Sequence, residues 1–118
     1  MNTSLSNELQ KLAVRINEAT PCTEESYLYL RSLPKELHQK FTMGHSVRHI
    51  SKGAGTLNAI FEEYEHSGNF DSKKLDEKIA SIFFALLKLV QNSDSNFDTI
   101  LAHVENYITF EKQQNGVK

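Results

Sequence analysis

Residues 80–90 read Ala80-Ser81-Ile82-Phe83-Phe84-Ala85-Leu86-Leu87-Lys88-Leu89-Val90, and only Ser81 and Lys88 are polar. A helix that is apolar almost all round is buried on more than one side. Extended toward its start, the segment carries Leu75, Ile79, Ile82, Phe83, Leu86 and Val90 on its apolar faces. The remaining polar positions, Lys74, Lys78, Ser81 and Lys88, recur at four, three and seven residues and form one basic seam. In a small bundle such a helix sits centrally or buries its second face in a dimer, and a dimer is the expectation here.

The flanking segments have the same periodicity. Upstream, Val47, Ile50, Ala54, Leu57 and Phe61 recur at three, four, three and four residues and predict a long helix ending at Ser67-Gly68-Asn69-Phe70. Gly53 and Gly55 inside it cost about 1 kcal/mol each relative to alanine, a cost tolerable where another helix approaches closely. Gly44 marks a break before it, and Asp71 or Ser72 is positioned to cap the basic-seam helix. Downstream, Ser95-Asn96-Phe97-Asp98 resembles a capping box with Asp in place of Glu. It opens a last helix through Leu101, Val104 and Ile108, with a frayed tail over residues 113–118.

Nearer the start, Leu5, Leu9, Leu12 and Ile16 predict a first helix that stops at Ala19-Thr20-Pro21, where proline lacks the N–H. Thr23-Glu24-Glu25 reads as a cap with acids in the first turn. A short helix through Tyr27, Leu28, Leu30 and Arg31 comes next, and Pro34 with Glu36 opens a further one carrying Leu37 and Phe41. No strand alternation and no repeat emerges. Short loops between helices predict an all-α fold, an antiparallel bundle of four to five helices in one domain spanning 1–118.

Composition narrows the function. With 39% hydrophobic and 24% charged residues the chain reads as an ordinary globular domain, and a net charge of −2 argues against a dedicated nucleic-acid binder. No basic n-region precedes an apolar stretch in Met1–Glu8, and no run approaches a membrane span, so the cytoplasm is the expected location. Cys22, the single cysteine, sits beside Pro21 with no local base and reads as a structural thiol. The tyrosines Tyr27, Tyr29, Tyr64 and Tyr107 are expected to cover core edges with their hydroxyls wet.

Residues 45–112 resemble the all-α nucleotide pyrophosphohydrolases, the MazG-like proteins and their phosphoribosyl-ATP pyrophosphohydrolase relatives. Gly53-Ala54-Gly55-Thr56-Leu57 falls on the family's E-x-x-E phrase. Lys78-Ile79-Ala80-Ser81-Ile82-Phe83 falls on its E-x-x-D phrase, and Asn96-Phe97-Asp98-Thr99-Ile100-Leu101 resembles the family's next helix. Carried over position by position, the family's metal-holding acids become Gly53, Thr56, Lys78 and Ser81. Magnesium needs oxygen ligands, chiefly carboxylates, so the resemblance implies a MazG-like module whose catalytic acids are lost. No catalytic residue, cofactor or metal is assigned, and the reading leans away from an enzyme. The replacement has its own character. His45, His49, Lys52 and Thr56 form one stripe at four, three and four residues. If that stripe faces Lys74, Lys78, Ser81 and Lys88, an acidic seam has become a cationic one, able to receive an anionic ligand or an acidic protein partner.

The histidines allow two further readings. His45 and His49, one turn apart, could share a metal, but His38 lies beyond the expected break at Gly44, His66 and His103 lie elsewhere, and no H-E-x-x-H pattern occurs. Separately, His49-Ile50-Ser51-Lys52-Gly53-Ala54 resembles the H-x-x-K-G phrase of histidine phosphotransfer domains, with Ser51 where that family has an apolar residue. The resemblance implies His49 as phospho-acceptor, Lys52 as the neighbouring cation and Gly53 as the small residue admitting the donor. A second register places His45 in that role. Nucleophile-elbow and phosphate-loop patterns are absent.

Overall fold

The hydrophobic periodicity and the proline stops shape the first part of the chain. In the computed structural model, which describes residues 3–117, α1 runs from Thr3 to Ala19 and ends before Pro21. The chain then turns back through Thr23, whose Oγ1 accepts from the Ser26 N–H at 3.2 Å. This is a serine/threonine turn and opens no α-helix. Two 3₁₀ segments, Leu28–Ser32 and Lys35–Leu37, come next, where the sequence predicts short helices. The run before Pro34 is too short for an i→i−4 ladder, and Lys35–Leu37 is a tightened turn leading directly into the next helix at His38, both common uses of 3₁₀ bonding.

α2 spans His38–Ser67 without interruption, so the expected break at Gly44 does not occur. A lone glycine in a helix interior costs propensity but stops nothing while its φ stays helical, and Gly44 is not among the positive-φ glycines. Gly68, at φ 79°, is: it ends α2 in the left-handed conformation, its N–H donating to the Tyr64 carbonyl at 2.8 Å. Asp71 then caps α3, Ser72–Gln91, its carboxylate accepting from the Lys74 N–H at 2.9 Å. α4, Phe97–Gln114, is capped by Asn96, which accepts from the Thr99 N–H, and not by the Ser95/Asp98 box. At its end Gly116 stands at φ 67° and the Val117 N–H donates to the Lys112 carbonyl at 2.9 Å. Lys118 lies outside the described residues.

The protein is an all-helical bundle of four α-helices with no strand among the described residues. α2 and α3 form an antiparallel hairpin. Gly53 faces Ile82 midway along it, Ile60 and Lys74 share a depression near its tip, and Ser46 and Lys88 line one cleft at its open end. A Cβ on Gly53 would stand 2.6 Å from Ile82 Cγ1, so this glycine is what lets the helices approach; Gly55 has open space. α1 packs on α3, and α4 joins through Phe97, which is buried with Ala13, Ile16 and Leu87. α3 is therefore central, yet Ile79 and Phe83 are 51% and 47% exposed. The radius of gyration is 17.7 Å, against about 13.5 Å for a compact domain of this length. No helix among the described residues is long and apolar enough to cross a membrane.

Candidate anion-binding cleft

Thr20, just past the end of α1, and Lys88, in the last turn of α3, meet across the bundle. The Lys88 Nζ donates to the Thr20 carbonyl at 2.6 Å and to Thr20 Oγ1 at 3.0 Å, with Cys22 Sγ 3.9 Å away. Lys88 is only 7% exposed. Buried lysines are ordinarily paired with acids, but among the described residues no carboxylate forms an ion pair with it. Its compensation comes from the carbonyl end of α1, which carries roughly half a negative charge. The thiol of Cys22 is half-buried at the same corner.

On the facing helix, α2 presents His45, Ser46 and His49. Their spacing along one side follows from 3.6 residues per turn. Tyr27, from the connector after α1, places its hydroxyl 2.9 Å from His45 Nε2, and His49 Nε2 stands 3.0 Å from the same atom. His45 Nε2 carries one lone pair or one proton, so the Tyr27 hydroxyl and the His49 ring share that single position, with donor and acceptor set by the tautomer. Burial, then the neighbouring charges of His49, Lys88, Arg48 and Lys52, holds the His45 pKa below the ordinary imidazole value. Phe41 stacks on the His45 ring, with centroids 6.3 Å apart. Tyr27 thus has a bonded hydroxyl instead of a wet one.

These groups line one cleft of about 540 Å³ between α2, α3 and the connector, walled by Ala19, Pro21, Phe84 and Ala85. That volume suits a small ligand. Its polar lining is Thr20, Ser26, Tyr27, His45, Ser46, His49, Ser81 and Lys88, with neither Asp nor Glu. Ser46 Oγ is fully buried and has no hydrogen-bond partner among the described residues. It does not take the carbonyl one turn back, as Thr42 Oγ1 does with His38, and a buried hydroxyl left unmatched costs about 1–3 kcal/mol.

The residues singled out in the sequence divide between this cleft and the rest of the hairpin. His45, His49 and Ser81 line the cleft together with Lys88. Thr56 lies farther along α2, bonding the Lys52 carbonyl, and Lys52 is exposed. Lys78 is half-buried on α3, while Lys74 borders a separate depression with Ala59, Ile60 and Glu63. Fourteen residues of helix separate Lys74 from Lys88, about 21 Å at 1.5 Å per residue, so the seam is too long to serve one small ligand. Gly53 is turned to α3 and not to an incoming donor. Tyr27, Ser46 and Thr20 were not marked by local sequence pattern. Among the described residues no group of three His, Cys, Asp or Glu is arranged to hold a metal ion, and the His38 ring is engaged with the Leu30 and Leu33 carbonyls. No protein-family profile, curated protein or solved structure matches the chain.

Proposed function

We propose that this helical module acts by binding, and that its ligand is a small molecule carrying an oxyanion, a phosphate or a carboxylate, held at the Lys88 corner of the cleft. The observation that carries this reading is a buried lysine ammonium that has no acidic partner among the described residues, in a cleft whose described lining holds two imidazoles and several hydroxyls but no carboxylate. Two of the three ammonium protons are directed at Thr20, and the third meets only the Cys22 sulfur at 3.9 Å, a weak acceptor that an anion would displace. Ser46 Oγ and the His49 ring supply further donors. In MazG-like terms the module is a degenerate relative, in which Gly53, Thr56, Lys78 and Ser81 stand where metal-holding acids would be. A thermal-shift series with pyrophosphate, citrate and ATP, each against sodium chloride at matched ionic strength, tests the reading. It expects at least one oxyanion to raise Tm; no shift beyond the chloride control counts against it. Release of pyrophosphate from nucleoside triphosphates with magnesium would replace it with an enzymatic one.

His49 as a phosphorelay acceptor is the second reading, supported by its exposed ring and by Lys52 on the next turn. In that reaction the His49 Nε2 takes a phosphoryl group from a donor such as phosphoramidate, which leaves as ammonia. Mass spectrometry should find an acid-labile adduct of one phosphoryl group that is lost in His49→Gln. An unmodified wild-type chain removes this reading.

A further inference from the structure

Two-thirds of α4 stands clear of the rest of the chain. From His103 to Gln114 every residue is exposed, although Val104, Tyr107 and Ile108 place apolar groups along one side. Isolated helices shorter than about 12–15 residues are marginal in water, so this segment calls for something to cover it. A second uncovered stripe lies on α3, where Ile79, Phe83 and Leu86, at four and three residues, are 51%, 47% and 42% exposed.

The area is informative about the occupant. A folded monomer of 13.5 kDa exposes about 6,500 Å², whereas this chain exposes 8638 Å². The difference, about 2,100 Å² per chain, doubles to about 4,200 Å² in a pair, within the range of obligate homodimers. A two-fold axis that lays α4 of each copy on α3 of the other makes the same contact twice and closes the assembly.

We propose that a second copy of this chain covers both stripes, α4 of one copy packing on the Ile79/Phe83/Leu86 face of its partner. Sedimentation equilibrium of the full chain should give about 27 kDa, twice the 13.5 kDa of one chain. Phe83→Asp or Ile108→Asp should weaken the dimer at least about tenfold, while Leu28→Asp, on an exposed residue of the connector, should leave it intact. Because an aspartate on either stripe can unfold an obligate dimer, a second measurement keeps the aromatic ring in place. The chain with benzoylphenylalanine at position 83 should, on irradiation, give a covalent dimer whose linked peptide maps to α4. A 13.5 kDa species at every accessible concentration overturns the proposal, as does cross-linking confined to segments other than α4.

Discussion

The ammonium nitrogen of Lys88 lies 2.6 Å from the carbonyl oxygen of Thr20, joining the last turn of α3 to the end of α1. The contact closes one wall of the cleft and leaves a positive charge beneath it. The helix terminus offsets part of that charge. Nothing acidic among the described residues lining the cleft offsets the remainder, which is why an oxyanion is the natural complement.

Stability should fall on acidification in a way that traces to His45. Its pKa in the fold lies below the ordinary value of about 6.5, first because burial disfavours the charged ring and next because His49, Lys88, Arg48 and Lys52 surround it. The unfolded chain therefore binds the proton more tightly. The stabilisation is complete above about pH 6.5 and is lost as pH falls through the folded value. Melting curves from about pH 7.5 down to about pH 5 should show a decline that His45→Gln flattens. Parallel curves for the two proteins would contradict the assignment. A bound oxyanion works in the opposite sense, so its affinity should rise over the same descent.

The two glycines in the middle of α2 should respond oppositely to alanine. At Gly53 the added carbon meets Ile82 Cγ1 at 2.6 Å, an overpacking that costs about 1–3 kcal/mol and outweighs the propensity gain of up to about 1 kcal/mol. Gly53→Ala should therefore lower the denaturation midpoint, with recovery when Ile82→Ala is added. At Gly55 nothing lies within 4 Å, so alanine should stabilise by about 0.5–1 kcal/mol. Equal effects at the two positions would show that the hairpin is packed differently.

Tyr27→Phe removes the hydroxyl that bonds His45 but keeps the ring against Phe41, where the centroids are 5.5 Å apart. A loss of about 0.5–1.5 kcal/mol in denaturant unfolding is expected, as for one net hydrogen bond. The His45 ring should also reorient, which histidine side-chain NMR would detect as a change in tautomer or linewidth. An unchanged His45 spectrum would mean that the hydroxyl does not hold it.

The helices and their ends were largely legible because their signals are local. Proline at 21, glycine at 68 and the capping Asp71 act on backbone groups within a turn of themselves. The 3₁₀ geometry after Tyr27 was not legible, since an apolar spacing of a few residues does not distinguish it from a short α-helix. Nor was the continuity of α2 through Gly44, where the cost of one glycine is absorbed by a 30-residue helix. Periodicity showed that Phe83 and Ile108 belong to apolar faces, but it is silent on what covers those faces. For the cleft, the one-turn spacing of His45 and His49 and the basic position of Lys88 were visible. Their meeting with Tyr27 and Thr20 was not, because Lys88 and Thr20 are 68 residues apart in sequence and no spacing rule reaches that far.

Titration calorimetry of pyrophosphate into the wild-type chain and into Lys88→Met, both checked for helical content, decides whether the Lys88 ammonium holds the anion. Binding to the wild type should be saturable and should weaken at least about tenfold, or about 1.4 kcal/mol, when the ammonium is removed. Binding of equal strength to both proteins, or no binding of either pyrophosphate or citrate to the wild type, would contradict this.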